Sequence, residues 1–159
     1  MIRLLAALLV MSLIPPPPAA VWSWPTTGQK VIVRDFQAPM TPWGAGHRGL
    51  DLAADSSTIV APASGTVSFS GWVVNRGIIT ITTPEGLKIS MEPVTPLVES
   101  GDRVRRGQDI ALLEPGHCLS LSLSLSLCLH LGVRVGQEYR SARQELGLLQ
   151  RAILLPWDL

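Results

Sequence analysis

The sequence has little net charge, which limits the partners that electrostatic attraction could bring. Lys and Arg together number 13 and Asp and Glu number 12 among 159 residues, so the formal net charge is +1. A protein held to nucleic acid or to an anionic membrane surface by charge needs a clear excess of basic residues. The composition therefore gives no case for nucleic acid as a partner.

A long hydrophobic run is also missing. The longest mostly apolar stretch covers eleven residues, 4–14, whereas a membrane-spanning helix needs about 20. Arg3 precedes this stretch, four prolines follow it, and Ala19 and Ala20 offer small side chains near a cleavage point. The pattern predicts a secretory signal peptide over 1–20, a secreted or cell-envelope location, and no stable membrane insertion after cleavage. An uncleaved anchor is the alternative.

Lysine is scarce, which bears on one class of small β domain. Glycine-punctuated turns at Gly101 and Gly107 are similar to those of lipoyl and biotinyl carrier domains. Such carriers need a modifiable lysine at the tip of a hairpin. Lys30 and Lys88 are the two lysines of the chain, and neither lies in a carrier-like motif, which argues against a carrier domain.

Glycine and proline are abundant, and they predict the fold class. The chain has 14 Gly and 13 Pro, and between residues 58 and 93 they separate short apolar stretches that are typical of β-hairpins. We expect an all-β fold, an antiparallel β-sandwich or barrel-sandwich hybrid of short hairpins. The predicted domain covers 44–140, after a leading segment over 21–43. A short amphipathic C-terminal helix is predicted between Gly136 and the chain end, with 141–159 as the tail.

His47 and Asp51 form the first candidate site. They lie four residues apart, a spacing that puts two side chains on one face of a helix or a strand. Gly46 and Gly49 argue against a helix, so we predict a loop that leads into a strand, with Leu50 and Leu52 buried on its other face. An imidazole and a carboxylate that converge in this way suit zinc, although a surface hydrogen bond is the simpler alternative.

A third candidate ligand lies far along the chain, after a strict Leu-Ser alternation over 119–127. In a strand, Cys128 and His130 would continue the serine face of that alternation. His47, Asp51 and His130 would then form a His/Asp/His set with a position left for water. The Leu-Ser repeat is nevertheless of low complexity, and a lengthened loop is the alternative to a strand.

Four motifs occur in the order H-R-G-L-D-L-A, A-P-A-S-G-T-V, G-D-R-V-R-R-G-Q-D-I and C-L-H-L-G-V-R. From about residue 24 to residue 139 this order resembles the lysostaphin-like (LytM-type) zinc endopeptidases. The resemblance implies Zn²⁺ as cofactor, held by His47, Asp51 and His130. It also implies that the substrates are the peptides of peptidoglycan.

Two positions depart from the family pattern. The family has a catalytic helper histidine where this chain has Cys128. Aligning 90–94 with the family's Y-x-H segment puts Pro93 at the second helper position, with Glu92 beside it. Glu92 is therefore the candidate general base. The alternative is a catalytically degenerate peptidoglycan-binding or regulatory module on the same fold, although retention of all three ligands favours an enzyme.

Cys118 and Cys128 enclose the Leu-Ser repeat. Two cysteines in an exported chain more often pair than stay free. Ten extended residue steps span roughly 33 Å, whereas a disulfide needs Cα atoms about 5.5 Å apart. We expect the disulfide, and it requires the repeat to double back. His117, beside it, is interpreted as a surface histidine, with an approach to the metal site as the alternative.

Overall fold

The computed structural model describes residues 22–118 and 127–148. The predicted signal peptide, residues 119–126 of the Leu-Ser repeat, and residues 149–159 of the tail lie outside the described residues. Among the residues that are described, no helix is both long and apolar enough to cross a membrane.

Eleven strands make up the regular structure of the described residues. In chain order they are β1 (Ile32–Arg34), β2 (Gly49–Ala53), β3 (Thr58–Val60), β4 (Gly65–Val73), β5 (Arg76–Thr82), β6 (Leu87–Glu92), β7 (Val94–Pro96), β8 (Arg103–Val104), β9 (Asp109–Leu113), β10 (Cys128–Val135) and β11 (Glu138–Arg140).

The strands form two antiparallel sheets. The larger has the order β1-β2-β10-β6-β5-β4-β8, with β11 paired to β10, and the smaller has the order β3-β9-β7. Neighbours in sequence, such as β4 and β5, pair as hairpins, whereas β10 inserts between β2 and β6. The predicted all-β class, built of antiparallel strands and short hairpins, is confirmed.

The core follows from the alternation of side chains along the strands. In β5, Ile79 and Ile81 are fully buried, and in β6 the same is true of Ile89 and Met91. These pairs are two residues apart, so they share one face of the large sheet. They belong to one hydrophobic cluster with residues of the small sheet, among them Ile110. Each such side chain contributes roughly 1.5–3 kcal/mol by leaving water.

β2 is buried along its whole length, between β1 and β10. Leu50 and Leu52 are fully buried in the core, as predicted from the sequence. In the pairing of β2 with β10, Asp51 lies directly opposite His130. Directly opposite residues of antiparallel strands project from the same face, so the register brings these two side chains together.

The predicted C-terminal helix is wrong for the described residues. The chain turns at Gly136, which has a φ of +56°, and β11 then pairs with β10, with Arg134 opposite Tyr139. The backbone of Glu138–Arg140 thus finds its hydrogen bonds across a strand ladder instead of along a helix. Residues 142–147 form turns, and the remainder of the predicted helix lies outside the described residues.

A disulfide joins Cys118 to Cys128, with their Cα atoms 5.7 Å apart. The two cysteines that enclose the Leu-Ser repeat therefore lie side by side, as the predicted disulfide requires. β10 begins only at Cys128, immediately after the repeat.

The glycine at the start of β2 gives a test of the close packing against β10. A Cβ at Gly49 would lie 2.5 Å from the backbone oxygen of Leu131 and 2.6 Å from His130 Nε2. Gly49→Ala should therefore lower the free energy of unfolding by about 1–3 kcal/mol, as overpacking does. Urea denaturation measures this change.

Gly71→Ala is the matched control. Gly71 also lies in a strand, and a Cβ there would meet only Phe69 Cζ, at the ordinary contact distance of 3.7 Å. We expect a change within about 0.5 kcal/mol. Equal stabilities of the two variants would contradict the close approach at Gly49.

Candidate metal centre

Two imidazole nitrogens converge on one carboxylate oxygen, which brings three potential ligand atoms together. Asp51 Oδ1 lies 2.9 Å from His47 Nε2 and 2.8 Å from His130 Nδ1. The two imidazole nitrogens are themselves 3.2 Å apart. The structure thus brings together the three residues that the sequence proposed as ligands.

Backbone groups fix the position of His47 and the orientation of its ring. Its own backbone N–H and C=O bond to Gln37 in an isolated bridge, at 2.9 Å each. Its ring nitrogen Nδ1 lies 2.7 Å from the carbonyl oxygen of Asp35, which can only accept a hydrogen bond. Nδ1 must therefore carry the proton, and Nε2 presents a lone pair to the cluster when the imidazole is neutral.

Asp35 links this arrangement to the C-terminal turns. Its carboxylate accepts hydrogen bonds from Arg143 Nε at 3.0 Å and Nη2 at 2.7 Å. The hydrogen bond from the Arg143 guanidinium lowers the pKa of the Asp35 carboxyl. The residue whose backbone orients His47 is thus itself held by an ion pair.

Asp51 supplies negative charge to a buried position. His47 and Asp51 are 6% and 3% exposed. Burial raises the pKa of the Asp51 carboxyl, but hydrogen bonds from His117 and His130, and the charges of His117 and His47, outweigh it and hold that pKa well below its usual range. Asp51 is therefore an anionic donor at neutral pH.

The donor set fits zinc. Two imidazoles and one carboxylate are usual ligands of zinc sites that keep an open position. Bonds of about 2.0–2.2 Å to a tetrahedral ion put neighbouring ligand atoms roughly 3.4 Å apart. The observed separations of 2.8–3.2 Å need only a small expansion to reach that value. His47, Asp51 and His130 could therefore hold the metal.

His117 joins the cluster, which corrects its interpretation as a surface histidine. Its Nε2 lies 3.0 Å from Asp51 Oδ1, and its ring centroid is 5.4 Å from that of His130. No periodic pattern surrounds this residue in the sequence. The sequence signal that could have located His117 is the neighbouring Cys118. The disulfide partner of that cysteine, Cys128, lies two residues before His130.

Glu92 lies beside the cluster on the neighbouring strand. It is directly opposite His130 in the pairing of β6 with β10, so the two side chains share a face. Its Oε2 forms an ion pair with Arg76 Nε at 3.1 Å, and its side chain is 18% exposed. Glu92 is therefore close to a candidate ligand and is held by a guanidinium.

One family model and several known proteins are similar to the chain. The model of Peptidase family M23 matches residues 45–141. The uncharacterized proteins Rv2891 of Mycobacterium tuberculosis and Mb2915 of Mycobacterium bovis are each 35% identical to the chain over 116 residues. That alignment covers 71% of this chain and 45% of each relative, so the chain spans less than half the length of these relatives.

Solved structures share the fold. Csd3 of Helicobacter pylori has a TM-score of 0.62 at 21% identity, over 84% of this chain and 36% of that one. Lysostaphin of Staphylococcus simulans has a TM-score of 0.59 at 19% identity, over 75% of this chain and 50% of that one. A zinc-containing peptidase of Vibrio cholerae has a TM-score of 0.58 at 21% identity, over 76% and 38%.

The family match and the donor cluster coincide in the chain. The match begins two residues before His47 and extends past His130, so all three converging donors lie inside it. It covers more than half of the sequence. The chain belongs to peptidase family M23.

Proposed function

We propose that the chain is an exported zinc metalloendopeptidase that hydrolyses peptide bonds of peptidoglycan and so remodels the cell wall. The convergence of His47, Asp51 and His130 is the observation that carries the proposal. Family membership supports the reaction class, and lysostaphin, which shares the fold, is an antimicrobial peptidase. Export is inferred from the pattern of residues 1–20.

Each ligand has a distinct part in holding the metal. His47 presents Nε2 because Asp35 fixes the proton on the opposite ring nitrogen. Asp51 contributes the negative charge that offsets part of the charge of the ion, and His130 contributes Nδ1 from the neighbouring strand. Zinc bound by these residues would act as a Lewis acid that polarises a carbonyl group and lowers the pKa of a bound water molecule to about 7.

Glu92 is the proposed general base. Its place opposite His130 puts a carboxylate on the face from which the metal ligands project. A base of this kind takes a proton from the attacking water and passes it to the leaving amine. His117 is the competing candidate, since its imidazole also contacts the cluster.

A second candidate function is supported by the two helper positions. Cys128 and Pro93 occupy them, and neither side chain can take up a proton in this structure, since Cys128 is in a disulfide. A chain of the complex between SpoIIIAH and SpoIIQ has a similar fold, with a TM-score of 0.58 at 17% identity. A module that binds peptidoglycan or regulates a partner without cleaving is therefore the alternative.

Zinc content tests the ligand set. The purified protein should bind about one zinc per chain, and His130→Ala should reduce this to a small fraction, because two ligands hold zinc far less tightly than three. Elemental analysis after dialysis measures the ratio. Arg134→Ala, on the same strand, should keep it. Full zinc content in His130→Ala would refute the ligand assignment.

Peptidoglycan digestion tests the activity. The exported form of the protein should release soluble peptides from purified peptidoglycan, and a chelator should stop the release because the metal is needed for the reaction. Added zinc should restore it, as followed by chromatography and mass spectrometry of the products. Protein that binds zinc and peptidoglycan but releases nothing would instead support the binding module.

Replacement of Glu92 tests the general base. Glu92→Gln keeps the size of the side chain and removes its basicity, so turnover should fall by about 10²–10⁴-fold while zinc stays bound. Peptide release with zinc in excess measures this. Glu99→Gln, in an exposed turn, is the control and should turn over normally.

Two further variants complete that test. Arg76→Gln removes the ion pair and keeps the Glu92 carboxylate, so it measures how much of the loss comes from the pair itself. His117→Asn should have a small effect on turnover at saturating zinc. Normal turnover in Glu92→Gln together with loss in His117→Asn would identify His117 as the base.

A further inference from the structure

We infer that the Cys118–Cys128 disulfide holds His117 against Asp51, which makes His117 a positioning residue of the metal site. The inference deepens the proposed function and depends on the proposed metal ligands. It gives a role to a histidine outside the three-ligand set and to the disulfide beside it.

The covalent path from His117 to the cluster is short. His117 is followed directly by Cys118, whose disulfide partner Cys128 is the first residue of β10. Two residues further along β10 is His130. Both cysteines are buried, with exposures of 3% and 1%. The segment that carries His117 is therefore fastened to the strand that carries a metal ligand.

The rest of that segment is less constrained. Its start is anchored where the Glu114 N–H donates to the carbonyl of Pro93 at 2.9 Å. Gly116 has a φ of +119°, and a Cβ built on it would meet no atom within 4 Å. A glycine in open space has wide conformational freedom. The disulfide that follows is thus the constraint that fixes the position of the imidazole.

The contact at the end of this path is specific. His117 Nε2 lies 3.0 Å from Asp51 Oδ1, the same oxygen that His47 and His130 approach. A hydrogen bond to a ligating carboxylate fixes its orientation, and loss of such a partner typically costs about 10–100-fold in metal affinity. The side chain of His117 is 28% exposed and that of Asp51 is 4% exposed, so His117 is the more accessible of the two groups in this contact.

A double-mutant cycle on zinc affinity tests the inference. The proteins are the wild type, His117→Ala, the double variant Cys118→Ser/Cys128→Ser, and the combination of all three changes. Competition with a chromophoric chelator gives the zinc dissociation constants, and thermal unfolding sets a temperature at which every protein is folded. If the disulfide affects zinc affinity through His117, its removal should not weaken zinc binding further in a protein that lacks His117.

We expect His117→Ala and the double serine variant each to weaken zinc binding by about 10–100-fold. The combination should be no weaker than the double serine variant within about threefold, since both changes remove the same contact. A purely structural disulfide would lower the unfolding temperature equally in both backgrounds and leave zinc affinity alone. Wild-type affinity in the double serine variant, or losses that multiply, would overturn the inference.

A second variant covers the case in which the double serine protein does not fold. Two glycines inserted between His117 and Cys118 keep the disulfide and move the imidazole away from Asp51. This insertion should match His117→Ala in zinc affinity. Wild-type affinity in the insertion variant would overturn the inference independently.

Nuclear Overhauser effects on zinc-free protein separate this inference from the proposed function. Ring protons of His117 and His130 should show a cross-peak in the wild type, because the ring centroids are 5.4 Å apart. The peak should vanish in the double serine variant, and its survival there would overturn the inference. If the wild type binds no zinc, and the cross-peak is still lost in the double serine variant, the proposed function alone would be refuted.

Discussion

The antiparallel pairing of β2 with β10 is the constraint on which the site depends. It sets Asp51 opposite His130, and a shift of one residue would turn one of these side chains to the other face of the sheet. The same register buries Leu50 and Leu131. Because core and cluster share one register, the hydrophobic packing that stabilises the sheet also fixes the distance between the two candidate ligands.

The buried carboxylate of Asp51 is stabilised by the polar groups around it. Moving a carboxylate out of water is unfavourable unless hydrogen bonds and opposite charges compensate. Three imidazole nitrogens lie within 3.0 Å of its Oδ1. Their number exceeds what one carboxylate oxygen needs for hydrogen bonding. A divalent cation bound by these nitrogens and the carboxylate would stabilise the close arrangement further.

The parts of the structure that could be predicted are those with local periodicity. The parity that puts Asp51 opposite His130 depends on the two-residue repeat of a strand, whereas His47 lies before β2 in a bridge to Gln37. His117 had no such pattern, because a disulfide and not a strand places it. The C-terminal helix was predicted wrongly from apolar spacing, because the chain turns at Gly136 and β11 pairs with β10 as a short hairpin. The Arg76 partner of Glu92 likewise depends on how β5 meets β6.

The ion pair between Asp35 and Arg143 makes the C-terminal turns part of the site's support. Arg143 lies two residues beyond the family match, which ends at residue 141. A fragment cut at that boundary would keep every candidate ligand. It would nevertheless lose the guanidinium of Arg143, which is hydrogen-bonded to the Asp35 carboxylate. The backbone carbonyl of Asp35 sets the tautomer of His47. The residues that support the site therefore extend beyond the range that the family model matches.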